Sequence, residues 1–244
     1  MAGHSKWANM KHRKGREDVK RGIAFTKFAR LITVAARLGG ADPDANPRLR
    51  AALIEARKNS MPNDNIKRAI DKATGANDRP MDEMTYEGYG PGGVAIIVEV
   101  MTDNKGRTTP EIRHLFSKHG GGLGETGSVG WQFERQGYIE FAKDEKTEDE
   151  IAEIVIEAGA EDYQEGDDYW GVSTAVEDLH QVSRALEDAG CDINSAKFIM
   201  NSTNEITVDG ETLGKLMKLV DLFEDHDDVQ HVYTNADFDE SDLA

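Results

Sequence analysis

Seven of the first 21 residues are lysine or arginine: Lys6, Lys11, Arg13, Lys14, Arg16, Lys20 and Arg21. Trp7, His4 and His12 are interleaved with them. Lysine and arginine neutralise phosphates and release condensed counterions, which gives affinity for nucleic acid independent of its sequence. The flat face of Trp7 can stack on a base, an interaction worth roughly 1–3 kcal/mol where it forms. It could equally plug the neighbouring helices. His12 can add a hydrogen bond. Lys27 and Arg30 lie on the polar side of the helix that follows and extend the same surface. The candidate nucleic-acid-binding set is therefore Lys6, Trp7, Lys11, His12, Arg13, Lys14, Arg16, Lys20, Arg21, Lys27 and Arg30.

Other chemistries find less support. Gly88, Gly90 and Gly93 match the G-x-G-x-x-G dinucleotide fingerprint, as do Gly122, Gly124 and Gly127. That motif needs a strand before it and a helix after it, so that the helix N-terminus meets the pyrophosphate. The first run here precedes a strand, and the second follows a helix. Both read as turns that need glycine conformations, with backbone N–H groups that could still approach a phosphate. His114 and His119, like His226 and His231, are five apart and do not share a helical face. No C-x-x-C or H-E-x-x-H occurs. Cys191 is the only cysteine, so no internal disulfide can form, and it reads as a buried thiol. Acidic pairs such as Asp167-Asp168 are expected by chance among 46 acidic residues. The reading is a non-enzyme with no catalytic residue, no metal, no cofactor and no small-molecule substrate.

The elements that must carry the basic residues follow from periodicity. Met1–Gly22 reads as a flexible or partner-ordered arm. Phe25, Phe28, Ile32 and Ala35 mark a helix over Ile23–Leu38, stopped by Gly39-Gly40. Asn46 and Pro47 open a second helix with Leu49, Ala52, Leu53 and Ala56 inward. A third, Asp64–Ala73, buries Ile66, Ala69 and Ile70 and turns Lys67, Arg68 and Lys72 outward. A polar linker, Gly75–Pro80, leads into a region of different period, and predicts weak coupling between the helical head and the rest. Val94–Met101 and Val129–Phe133 read as strands around a helix at Thr108–His119. Glu205–Val208 and Val229–Tyr233 read as strands around a helix at Glu211–Phe223. Between them, 137–200 reads as strand, helix, two strands, helix, strand, the ferredoxin-like order.

The expected fold is α+β in three domains, a three-helix head followed by two ferredoxin-like α/β domains, one inserted into the other. Its boundaries are a basic arm at 1–22, the helical domain at 23–75, a split domain at 81–136 and 202–236, an inserted domain at 137–201, and an acidic tail at 237–244.

Charge is distributed in the same way. The chain carries 29 basic and 46 acidic residues, for a net −17. Residues 1–72 hold 17 of the basic and 7 of the acidic ones, a local charge of +10, which leaves −27 on the remainder. Such asymmetry points to a polyanion partner for the basic part. No apolar run reaches the ~18 residues of a membrane span, and the N-terminus lacks a signal-peptide core. A cytoplasmic, membrane-free protein is expected, and a monomer, since no heptad or dimer face is apparent.

Four later runs accompany the opening AGHSKWANMKHRK (2–14): NPRLR (46–50), MPNDNIKRAI (61–70), YEGYGPGGVAIIVE (86–99), and the whole stretch from Thr102 to Phe133. Together they resemble the YebC/PmpR family over essentially the full length. Met10 stands where isoleucine is commoner, and Asn63 where lysine is commoner. The resemblance implies a helical N-terminal domain, two α/β domains around a cleft, and no catalysis. The family is labelled a DNA-binding transcriptional regulator. Its mitochondrial relatives resemble translational activators of cytochrome c oxidase subunit one, and some bacterial relatives act on ribosomes stalled at proline-rich sequence. The implied partner is therefore DNA, or ribosomal RNA on the ribosome. A protein-interaction scaffold with a basic head remains a third reading.

Overall fold

The computed structural model describes residues 17–74, 81–143, 147–166 and 168–239. Three helices open the described chain: α1 (Glu17–Gly39), α2 (Pro47–Lys58) and α3 (Asn63–Thr74). Phe28, Ile32, Ala35, Leu49, Leu53, Ala56, Ile66 and Ala69 close on one another as a small apolar core. Asn46 sets the α1–α2 corner. Its Oδ1 accepts the Leu49 N–H at 3.1 Å, and its Nδ2 donates to the carbonyls of Ala35 and Gly40, each at 2.8 Å. The side chain thus caps one helix and satisfies the end of another. Thr33 Oγ1 donates to Ala69 O at 3.0 Å and ties α1 to α3.

The next elements are β1 (Asp82–Tyr89), β2 (Ala95–Thr102), α4 (Lys105–Lys118) and β3 (Gly122–Leu123). A second segment follows: β4 (Phe133–Ala142), α5 (Glu148–Ala158), β5 (Asp162–Glu165), β6 (Tyr169–Thr174), α6 (Leu179–Asp188) and β7 (Ile193–Ser202). The chain then runs through β8 (Ile206–Thr207), α7 (Gly210–Glu224), β9 (Val229–Thr234) and β10 (Ala236–Asp237). One sheet has the order β3-β1-β2-β9, another has β5-β6-β4-β7, and β8 pairs with β10. No helix among the described residues is long and apolar enough to cross a membrane.

The architecture is α+β. In the second sheet every pairing is antiparallel. With the chain order βαββαβ this is the ferredoxin-like arrangement. Its core is Ile139, Phe141, Trp170 and Val172 from the sheet, against Ile151, Val155, Val182 and Leu186 from α5 and α6. Cys191 is buried beside them. This segment forms one compact unit, residues 131–206 with 235–237. The three-helix head and the β3-β1-β2-β9 sheet belong together to the other. In that sheet Val98 and Val100 pair with Tyr86 and Met84 on one side and with Val232 and Val229 on the other. The rings of Phe116 (α4) and Phe223 (α7), 4.7 Å apart, pack the two helices together.

The structure departs from sequence-based expectation at several points: α1 begins at Glu17, so residues 17–22, read as arm, are helical, and β8 pairs with β10 and does not join β9. Two further departures are linked. β1 was not expected, and Val129–Phe133 is not a strand. Gly130–Gln132 forms a single 3-10 turn, and β4 begins only at Phe133. Glu87, buried in β1, explains both. Its carboxylate accepts N–H bonds from Gly127 (2.8 Å), Val129 (2.8 Å) and Gly130 (2.6 Å). Those amides are consumed by the side chain and cannot enter a sheet ladder. Burial pushes the Glu87 carboxyl up, but the three amides outweigh it and hold the carboxyl below its ordinary value. The stabilisation is therefore present above about pH 4.3 and is lost as the pH falls below it. Glu87→Ala orphans three buried or half-buried donors and should cost about 2–3 kcal/mol in urea unfolding at pH 7. An unchanged unfolding midpoint would show that water replaces the carboxylate.

Candidate nucleic-acid interface

Lys6, Trp7, Lys11, His12, Arg13, Lys14 and Arg16 lie outside the described residues, as do the linker at 75–80 and residues 240–244 of the acidic tail. Lys20 and Arg21 fall on α1, where only the helical backbone is described. Lys27 and Arg30 are described, and both turn inward. Lys27 Nζ donates to Glu224 O at 2.7 Å. Arg30 Nη1 donates to Met101 O (3.1 Å), Asp227 O (2.6 Å) and Asp228 Oδ1 (2.5 Å). Their charges are committed to the protein's own carbonyls and carboxylate, which separates them from the surface expected to meet phosphate. The same bonds overturn the expectation of a weakly coupled head, since α1 is fastened to the end of β2 and to the loop after α7.

Asp228 is the centre of that fastening. Only 1% of its side chain is exposed. Besides Arg30 it accepts from Arg107 Nη2 (2.7 Å), Thr108 Oγ1 (2.5 Å) and Thr102 Oγ1 (3.2 Å). Four elements meet at one carboxylate: α1, β2, α4 and the approach to β9. Burial pushes its pKa up, but the hydrogen bonds from Thr108 and Arg107 and the charge of Arg30 bring it down to about 2.

Glu111, His226 and Asp228 are the one trio among the described residues whose ligand-type atoms converge, within 4.8 Å of one another. Their bonding is already complete. His226 Nδ1 accepts the Asp228 N–H (3.1 Å), which places the ring proton on Nε2, and Nε2 donates to Glu111 Oε2 (3.0 Å). A metal ion would have to displace that proton and compete with two guanidinium groups for Asp228. In this arrangement the trio forms a hydrogen-bonded corner.

Both glycine motifs are structural. Gly92, Gly93 and Gly127 have φ of +75°, +77° and +87°, which side chains tolerate poorly. At Gly88 a Cβ would stand 2.6 Å from Gly122 O. Of the motif amides, Gly90 donates to Val94 O (2.8 Å), Gly93 to Gly90 O (3.2 Å), Gly124 to Glu87 O (2.8 Å) and Gly127 to the Glu87 carboxylate (2.8 Å).

Cations do reach the surface elsewhere on the head. Arg57 and Lys58 at the end of α2, and Lys67, Arg68 and Lys72 on α3, are exposed. The last three sit opposite Ile66 and Ala69, where periodicity placed them, but the candidate set above omitted them. Four residues, 59–62, join α2 to α3, the connection length of a helix-turn-helix. Sequence reasoning also passed over Trp131, whose ring is 69% exposed in the turn before β4. Its alternation with Val129 and Phe133 had read as strand.

Comparison with known proteins fits this architecture. The model of the TACO1/YebC protein N-terminal domain matches residues 5–76, and that of the TACO1/YebC second and third domain matches 81–236. A "Probable transcriptional regulatory protein" of Carboxydothermus hydrogenoformans is 54% identical over 96% of this chain and 98% of its own. One of the same name from Desulfosudis oleivorans is 50% identical over 99% and 98%. The crystal structure of a conserved hypothetical protein from Aquifex aeolicus superimposes with a TM-score of 0.86 at 43% identity, covering 93% of this chain and 96% of that one. With both domain models matched and relatives near half identity from end to end, the chain belongs to the TACO1/YebC family.

Proposed function

We propose that this protein is a non-enzymatic, nucleic-acid-binding regulator of gene expression, of the kind its relatives' names call transcriptional regulators. The observation that carries the reading is the segregation of charge, +10 on residues 1–72 against −27 on the remainder. The exposed cations of α2 and α3 support it, with the N-terminal arm supplying the rest of the contact. It works as a monomer in the cytoplasm, with no cofactor. A short α2–α3 connection and a cationic α3 favour duplex DNA as the target. The acidic remainder favours the second reading, ribosomal RNA bound to assist translation, because a −27 body is repelled by long duplex and attracted by basic ribosomal proteins.

Titration of the full-length chain against duplex DNA and structured ribosomal RNA, at matched salt, tests the proposal. Log affinity should fall linearly with log salt on the preferred polymer, by about 0.9 per phosphate contacted on duplex and about 0.7 on a single strand. Binding that ignores salt, or no binding to either polymer, overturns it. Crosslinking in cells and sequencing of the bound nucleic acid decides between the targets.

A further inference from the structure

We infer that the corner of the α4–α7 helix pair bearing Lys118, His119 and Lys218 is a second contact for the phosphodiester backbone of a nucleic acid, separate from the head and arm. The inference rests on the proposed function and adds a site to it.

Helices α4 and α7 run past each other in opposite directions. Glu111 meets His226 at 3.0 Å, Phe116 meets Phe223, and Leu115 and Leu222 line a groove of about 520 Å³ between the helices. Following that register toward the C-terminus of α4 brings Lys118 and His119 opposite Lys218. Both lysines are exposed. Neither has an ion-pair partner among the described residues. The ion pairs described for these helices lie elsewhere, among them Lys105–Asp82, Arg107–Asp228, Arg107–Glu111, Lys215–Glu211 and the neighbouring His226–Glu111. His119 is half-buried between them. Its imidazole is held below the ordinary histidine value by burial first, then by the positive charges of Lys218, Lys118 and His114. Cations from two helices therefore converge on one point.

Residues beyond 72 hold only 12 basic against 39 acidic residues, so this convergence runs against the surrounding charge. A lysine in the last turn of a helix offsets the negative end of its dipole. That accounts for Lys118. It does not account for Lys218, in the middle of α7, or for two neighbouring lysines that no described carboxylate pairs. Like charges held together repel, and a multivalent anion relieves the repulsion. Gly120-Gly121 follows His119, with Gly121 packed on the Tyr89 carbonyl, and β3 opens on Gly122. A Cβ at Gly122 would meet open space, and Gly120 has φ +83°. With no side chains there, an extended polymer can come close to the main chain. An extended polyanion suits the corner better than a folded acidic protein does.

The test uses the full-length chain. Lys118→Glu with Lys218→Glu is compared with wild type on duplex DNA and on structured RNA across a salt series. Affinity for the target polymer should drop about tenfold or more, and the salt slope should become shallower by about two units. Circular dichroism and melting temperature should not change. If the reversal variant does not fold, Lys118→Gln with Lys218→Gln carries the same prediction with a smaller drop in affinity. Unchanged affinity and slope on both polymers overturns the inference. The proposed function survives that result so long as wild type binds with its salt dependence intact. Loss of binding to polyglutamate alone also overturns it, and assigns the corner to an acidic protein. A wild-type chain that binds no nucleic acid removes the proposed function itself.

Discussion

Replacing Asp228 with alanine lowers the unfolding free energy of the unit that carries the head by about 3–5 kcal/mol, the cost of leaving buried charges without their partner. The magnitude follows from what is stranded. Arg30, with 18% of its side chain exposed, keeps its carbonyl partners but loses its counter-charge. Arg107 is 44% exposed and can turn to water, so it accounts for the smaller share. Thr102 and Thr108 still bond each other at 2.8 Å. Arg30→Met should therefore destabilise more than Arg107→Met. A double-mutant cycle between Arg30 and Asp228 should return a coupling of about 1–3 kcal/mol. The pH dependence has a definite sign. A carboxyl lowered to about 2 contributes fully above its unfolded value near 3.9 and progressively less as the pH falls toward 2. Urea unfolding between pH 2 and 7 should show that loss in wild type, and a smaller one in Asp228→Asn. If the alanine variant unfolds at the wild-type urea concentration, the four-element junction is not what holds the head.

Exchanging Lys11, Arg13, Lys14 and Arg16 for glutamate should have the largest effect on binding. Each substitution removes a phosphate contact and adds a repelling charge. The salt slope should become shallower by roughly four units, and affinity near 0.15 M salt should fall by about a hundredfold or more. Stability should hardly move, about 0.5 kcal/mol or less per site, because these residues fall outside the apolar faces that helical periodicity predicts. Trp7→Ala separates the two roles open to that ring. Stacking predicts a loss of roughly 1–3 kcal/mol in binding with the salt slope kept. A plug predicts a lower melting temperature instead. Undiminished binding by the four-glutamate variant on both polymers moves the contact away from the arm, and makes a scaffold with a basic head the better account.

The helices were legible because each announces itself locally. Asn46-Pro47 opens α2 where cap and first-turn chemistry put it, and Thr147 with Glu150 closes a capping box at the start of α5. The inserted βαββαβ order was legible because its helices show clear apolar faces and its strands carry aromatic and β-branched clusters such as Tyr138-Ile139 and Tyr169-Trp170, with a turn at Gly166 between the two central strands. β1 was hidden because its buried residues include Glu87 and Gly88 rather than β-branched ones, and Glu87 is buried for a partner 40 residues away. The false strand at Val129–Phe133 arose at the other end of that same interaction. The inward turn of Lys27 and Arg30 was hidden by distance as well. Polarity and helical period place a cation on the hydrophilic side of a helix, but only the fold reveals that Asp228, nearly 200 residues on, waits there. Lys118 and Lys218 are 100 residues apart, and no local pattern joins them.

The place of β9 in its sheet bears on how the chain is made. β2 pairs with β1 on one flank at once, across a tight turn, while its other flank belongs to a strand about 130 residues further along. At the usual 5–20 residues per second, the ribosome takes roughly 6–25 s to deliver that partner. The carboxylate that anchors α1 arrives with it. During that interval β4 to β7, contiguous in sequence, can close into their own sheet. The earlier strands meanwhile wait with an apolar edge of Ile96, Val98 and Val100 unpaired. The nascent chain thus carries a sticky, half-made sheet and an undocked basic head until translation is nearly through β9, so a trigger-type chaperone or slow elongation over this stretch should affect its yield more than its final stability.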